Sequence, residues 1–288
     1  MTAALESLQH LFLMLVRLGL YATAKVYFYR FWFWVQNAAP NRTVSVFVEP
    51  LGAHVRLRPH TSDFHVLGQV AVKLEYEFDD LPQAEAIARV AAETSQPVIL
   101  DAGAHIGLAA LYFAHRFPTV QVIAVEPEPG NFQILETNTA EHPNIRAIRA
   151  AVWGTRSEVS VISAGSETWA ARVSEDNSAS DHSTCSAYTV PDLLQQQQAD
   201  SCLVMKIDVE GAEGAIFAKD ATWVDDIPVI IIELHDYMIP WTGAGHRFLQ
   251  AATRRPRDWL LRGENLICID HVLRPAAAKV TKNKSSAA

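Results

Sequence analysis

Apolar and polar residues follow three successive regimes along the chain. From residue 5 to 35 the sequence is dense in leucine, valine and aromatics, ending in Tyr27-Phe-Tyr-Arg-Phe-Trp-Phe-Trp-Val35. Apolar positions fall all round this predicted helix, not on one face. Residues 37–41 break the pattern. Strict alternation follows at Thr43–Val48 and again at His54–Arg58, which predicts two strands. Residues 61–77 predict a short helix leading into Tyr76. From Pro82 to Glu93, Ala84, Ile87, Ala88 and Ala91 recur at helical spacing, with proline in the first turn.

Beyond Pro97 short apolar runs alternate with helical segments. Strands are predicted at 98–100, 120–126, 145–152, 202–209, 229–234 and 265–272, with a short extra one at 159–162. Helices are predicted at 108–114, 131–139, 189–198 and 246–253. The runs are apolar throughout, as in parallel strands buried on both faces. This predicts an α/β fold with helices on both faces of a largely parallel sheet. Residues 163–187 are rich in Ser, Ala, Asp and Thr with little periodicity, and are expected to form a long loop over the site. Four segments result: an aromatic-rich helix (1–36), a β/α extension (37–95), the main domain (96–274) and a low-complexity basic tail (275–288) expected to be disordered.

Composition narrows the picture. A chain of 288 residues can bury a large core without disulfides, and Cys185, Cys202 and Cys268 have neither pairing nor metal-ligand spacing. They suit a reducing, cytoplasmic-type compartment. The net charge of −8 is uneven: both ends are basic, while residues 37–253 hold 13 cations against 28 anions, a balance of −15. Such a body would repel phosphates, so no nucleic-acid partner is expected. Arg17, Lys25 and Arg30 interrupt the N-terminal run, and it lacks the pattern of a secretory leader. Two readings stay open for residues 5–35: packing on the body or a second copy, or lying at a membrane surface with the cations snorkelling.

Candidate chemistry lies in two stretches. The first is Pro97-Val-Ile-Leu-Asp-Ala-Gly-Ala-His-Ile-Gly107, a strand, a glycine turn and a helix start. This geometry brings backbone amides up to a ligand. Glu126 ends the next strand 25 residues past Asp101, where an acid can hold ribose hydroxyls. The pattern lacks the middle glycine of a dinucleotide site, and Asp101 would repel a pyrophosphate. S-adenosylmethionine, a cation with a ribose and no phosphate, fits better. The second stretch is Lys206-Ile-Asp-Val-Glu-Gly-Ala-Glu213. Alternation puts Lys206, Asp208 and Glu210 on one side at the carboxyl end of a strand, and Glu233 and His235 do the same on the next. Five ionisable groups on one rim predict an active site.

In order and spacing, Asp101-Ala-Gly-Ala-His-Ile-Gly107, Glu126-Pro127, Asn131, Asn138, Lys206–Glu213 and Glu233-Leu-His235 resemble the FkbM family of S-adenosylmethionine-dependent methyltransferases, from about residue 61 to about 250. The resemblance implies a seven-stranded Rossmann-like sheet with a reversed last strand. It also implies O-methylation of a carbohydrate, glycolipid or secondary-metabolite hydroxyl. Glu126 is expected to hold the ribose, Asp101 to lie near the ammonium or orient the backbone, and Gly103 and Gly107 to allow close approach. His105, where the family more often has asparagine, has a charge expected to respond to pH. Pro127, Asn131, Val152 and Asp208 complete the cofactor set. His235 is the expected base, with Asp208 second or orienting it, Lys206 neutralising Asp208 or Glu210, and Glu213 organising the turn. Trp153 and Trp169 are pocket candidates. Asp208 and Glu233 alone lack a third metal ligand, so no metal is expected. A non-catalytic scaffold and, less well supported, an NAD-dependent oxidoreductase are the competing readings.

Overall fold

Strands made wholly of apolar residues require cover on both faces, and this requirement dictates the architecture. The structure is a computed structural model, and it describes residues 2–36, 42–162, 172–174 and 183–273. The central sheet contains β3 (Pro97–Ala102), β4 (Gln121–Val125), β5 (Ile145–Ile148), β10 (Ser201–Ile207), β11 (Val229–Glu233), β12 (Arg257–Arg262) and β13 (Asn265–Asp270). Their order is β12-β13-β11-β10-β3-β4-β5. Strand β13 runs antiparallel to both of its neighbours, β11 and β12, while β11, β10, β3, β4 and β5 pair in parallel. The expected sheet with one reversed last strand is therefore present. Strand β12 was not foreseen from the sequence: Arg257, Asp258 and Arg262 interrupt its apolar pattern.

Strand order reverses between β3 and β10. From β3 the chain moves outward through β4 and β5, then returns to β10 and moves the other way to β11. The crevice at the carboxyl ends of β3 and β10 is the topological switch point, the usual ligand site of such sheets.

One face of the sheet is covered by α4 (Leu108–Arg116), which shares a continuous core with everything N-terminal to the main domain. That part comprises α1 (Thr2–Gln36), the hairpin β1 (Val44–Val48) and β2 (Ala53–Leu57), α2 (Asp63–Leu67), a π-helical turn at Gly68–Val72, and α3 (Ala84–Glu93). A second core packs α6 (Val190–Gln196) and α8 (Ala244–Ala252) on the other face. Helix α1 kinks at Gly19, whose φ of 77° suits glycine. Met14, Leu18, Ala22 and Val26 form its buried stripe, whereas Phe12, Val16, Leu20, Tyr21, Phe28 and Phe31 are exposed.

Two expectations are corrected. The single strand predicted over 145–152 is two: β5 belongs to the central sheet, and β6 (Ala151–Val152) to a small sheet ordered β6-β9-β7-β8. Its other members are β7 (Ser157–Ile162), β8 (Arg172–Ser174) and β9 (Ser183–Tyr188). The stretch 163–187 is therefore not one loop, because β8 and β9 pair antiparallel with β7. Cys185 and Ala187 alternate onto its buried face in β9, a pattern too short to stand out among serines and threonines. Residues 275–288 and Trp169 lie outside the described residues.

Candidate active site

The two strands that flank the switch point bring their charges together through register alone. Lys206 on β10 lies opposite Asp101 on β3, and its Nζ sits 3.2 Å from Asp101 Oδ1 and 3.4 Å from Asp208 Oδ2. It also donates to the Gly103 carbonyl at 2.7 Å. Burial alone would lower the Lys206 pKa, but the facing Asp101, with Tyr76 and Asp208, raises it well above its ordinary value. Lys206 neutralises Asp208 as expected, and it also fastens the glycine turn.

That turn is strained into shape. Gly103, His105 and Gly107 have φ of 79°, 50° and 87°. A side chain at Gly103 would start 1.7 Å from the Asp208 carbonyl oxygen, so glycine is required by the neighbouring strand end. His105 occupies a left-handed position that non-glycine residues adopt uncommonly, with Asn, Asp and His enriched there. Burial pushes its imidazole down to about 4, so the expected charge response near neutrality gives way to a neutral ring. Its Nε2 lies 3.2 Å from Ser62 Oγ, and its Nδ1 has no hydrogen-bond partner among the described residues.

Glu126 follows β4 directly. Its Oε2 accepts from the His105 amide at 2.8 Å and its Oε1 from the Glu128 amide at 3.0 Å. Burial outweighs these amides and pushes the carboxyl up to about 7. Glu128 caps α5 (Pro129–Thr139) by accepting from the Asn131 amide. The Asn131 side chain in turn accepts from Arg58 at 2.8 Å, and Arg58 is paired with buried Asp63 at 2.8 Å. Asn138 clamps the same helix to β2, accepting from the Arg56 amide at 2.7 Å and donating to the Ile106 carbonyl at 2.8 Å.

At the other end stands His235, 1% exposed. Its Nδ1 lies 2.6 Å from Glu213 Oε1. Its Nε2 lies 3.3 Å from Glu233, 3.5 Å from Glu210 and 3.9 Å from Asp208. Burial opposes charge on the ring, but the bonds to Glu213 and Glu233 hold its pKa up at about 11. These carboxylates favour the charged ring, so His235 departs from the ordinary near-neutral pKa expected of it. Burial, with Asp208 beside it, raises Glu210 to about 8. Glu213 organises its turn, accepting from the Gly211 amide at 3.2 Å.

Between these walls lies a cavity of about 380 Å³, within the range of small-molecule sites. Of the expected residues, Gly103, His105, Glu126, Pro127, Asn131, Val152, Lys206, Asp208, Glu210 and His235 line it. Asp101 and Gly107 do not. Asp101 is fully buried beneath it against Lys206, and Gly107 gives room to Leu135 of α5, where a Cβ would approach to 2.6 Å. Trp153 packs on the small sheet instead. The sequence reading missed Ser62, His65, Gln69 and Tyr76, which bring the N-terminal extension to the same cavity. Their signal, polar groups on a short predicted helix, is indistinguishable from a solvated surface.

Sheet order, switch-point cavity and the acid after the second strand together define a Rossmann-like enzyme of the methyltransferase type. The chain belongs to the FkbM methyltransferase family: the Methyltransferase FkbM domain matches residues 101–255. Methyltransferase 1 of Beauveria bassiana is 28% identical over 204 residues, spanning 61% of this chain and 80% of that protein. Methyltransferase sdnD of Sordaria araneosa is 34% identical over 68 residues, and the chain spans only 26% of its length. Among solved structures, methyltransferase FkbM from Methylobacillus flagellatus aligns over 71% of this chain and 60% of its own, with a TM-score of 0.41 and 12% identity.

Proposed function

We propose that the chain transfers a methyl group from S-adenosylmethionine to a hydroxyl of a carbohydrate, glycolipid or other secondary-metabolite acceptor. Glu126 carries this reading. It is a buried carboxylate that lines the cavity, held by the His105 and Glu128 amides and by the Asn131 side chain at 3.4 Å, and it is the group placed for a ribose diol. The residues present suit the cofactor in other ways. His105 Nδ1 is an unpartnered buried atom, Val125, Pro127 and Val152 offer an apolar wall, and the far wall is anionic, as a cationic ligand requires. When bound, S-adenosylmethionine supplies an electrophilic methyl group on sulfur. The chain's task is to align the acceptor and take its proton. Asp208 is the base: it lines the cavity, its side chain is 24% exposed, and Lys206 stands beside it. Ser62, Gln69, Tyr237 and Glu264 give the acceptor side hydrogen-bonding groups and, in Tyr237, an exposed aromatic face.

Calorimetric titration tests the cofactor. S-adenosylmethionine and its demethylated product should bind to the wild type, NAD should not, and Glu126→Ala should weaken binding by about 100-fold, the worth of a lost charged hydrogen-bond pair. No binding of either sulfur compound would overturn the reading and leave the scaffold alternative.

A second observation favours contact with a lipid surface. Helix α1 is docked by one stripe, yet Leu8–Trp32 has a mean hydropathy of 1.5 and only 28% of its most apolar window is buried. An apolar face left outward beside Arg17, Lys25 and Arg30 suits the membrane interface. Full-length protein should float with anionic vesicles, and Phe28→Ser with Phe31→Ser should abolish flotation. A stable dimer that ignores vesicles would instead support self-association.

A further inference from the structure

Four carboxylates surround one imidazole at the ends of β10 and β11: Glu213 bonds Nδ1, while the three that face Nε2 stand further off than in well-formed hydrogen bonds. His235 Nε2 has oxygens of Glu233, Glu210 and Asp208 at 3.3, 3.5 and 3.9 Å, mostly beyond the 2.7–3.2 Å of a well-formed N–H···O bond. Around an octahedral ion with ligands at about 2.1 Å, adjacent donors stand about 3 Å apart and opposite ones about 4 Å. One donor atom each from Asp208, Glu233 and His235 lie within 4.8 Å of one another.

Two further observations point to a ligand in their midst. Glu210 Oε2, buried and 3.5 Å from Nε2, has no hydrogen-bond partner among the described residues. The far side of the imidazole is fixed by Glu213 at Nδ1, the carboxylate–histidine arrangement that orients a metal-bound ring and sets which nitrogen faces the ion. Glu213 itself is fully buried and locked to the Gly211 amide, so the ring cannot turn away.

We propose that Asp208, Glu233 and His235, with Glu210 as a fourth donor, bind one divalent cation of the Mg²⁺ and Mn²⁺ class. Oxygen ligands dominate the set, as those ions prefer, and the single imidazole suits Mn²⁺. The ion takes the place of the Nε2 proton. Its use there, to hold the acceptor oxygen and favour its deprotonation, rests on the methyl-transfer reading; its binding does not.

The test is Mn²⁺ titration of the EDTA-treated full chain, with free ion read by its electron paramagnetic resonance signal and Mg²⁺ as competitor. One ion per chain is expected, displaced by Mg²⁺. Asp208→Asn and Glu233→Gln should each weaken it at least ~10-fold, as should Glu213→Gln, which touches no ion and acts by positioning His235. Circular dichroism of the three variants confirms that the fold persists. Absence of stoichiometric Mn²⁺ binding at millimolar free ion, or equal binding by wild type, Asp208→Asn and Glu233→Gln, overturns the site. S-adenosylmethionine calorimetry in EDTA separates the two ideas: cofactor binding without Mn²⁺ binding sinks only the ion, and the reverse sinks only the cofactor.

Discussion

The two walls of the cavity hold their acids in opposite ways. At the end of β4, Glu126 is held by amide N–H groups, so its charge is opposed by burial and offset by dipoles alone. At the ends of β3, β10 and β11, Asp101, Asp208, Glu210, Glu213 and Glu233 share two cations, Lys206 and His235. The first wall is built by backbone conformation. The second is built by mutual charge, where removing one member strands its partners. The same kind of side chain is thus held by amides in one place and by opposite charges in the other.

Asp101→Ala is the sharpest test of that contrast. It leaves Lys206 buried without its facing carboxylate and should cost about 3–5 kcal/mol in denaturant unfolding. The isosteric Asp101→Asn should leave cofactor affinity within a few-fold, because Asp101 does not reach the cavity. Equal stability of Asp101→Ala and wild type would erase the distinction. Asn138→Ala probes the backbone-built wall from behind. It strands the Arg56 amide and the Ile106 carbonyl, and should cost about 2 kcal/mol by thermal unfolding. Titration of Glu126 probes the same wall from within. If ribose hydroxyls require its ionised form, the cofactor dissociation constant should fall about tenfold per pH unit up to about 7, then level off. The sign for stability is the reverse. A raised carboxyl favours the folded state fully below its ordinary range near 4.5, and that contribution, about 3 kcal/mol, is lost as pH rises through about 7. A flat affinity profile would show that Glu126 is not the ribose group.

Legibility in the sequence followed the same divide. Backbone rules are local, so the runs 98–100, 120–126 and 202–209, the glycine turn and Glu126 could be read from spacing, and a largely parallel sheet followed; the reversed β13 came only from the family resemblance. Charge coupling is not local. That Asp101 serves Lys206 depends on the register of β3 against β10, which no single strand encodes. His235 has an ordinary histidine's near-neutral pKa in the sequence; carboxylates from two separate segments, Glu210 and Glu213 on one and Glu233 on the other, raise it. Gly107 looks like a ligand turn, yet its space is filled by Leu135 from the next helix but one in the sheet's layer. Strands β8 and β9 escaped notice because Ser, Thr and Ala pair well enough beside a neighbour but carry little signal alone.

Ser62, His65, Gln69 and Tyr76 come from before β3, yet they line the cavity that the sheet opens, and the Arg58–Asp63 pair ties that segment to Asn131 behind it. Modular exchange must respect this. A chimera that grafts residues 96–274 alone onto another leader inherits Glu126 and the charged wall but loses Ser62, His65, Gln69 and Tyr76 from the cavity lining. Recombination at residue 95 would therefore part the sheet's half of this cavity from the half that the extension supplies.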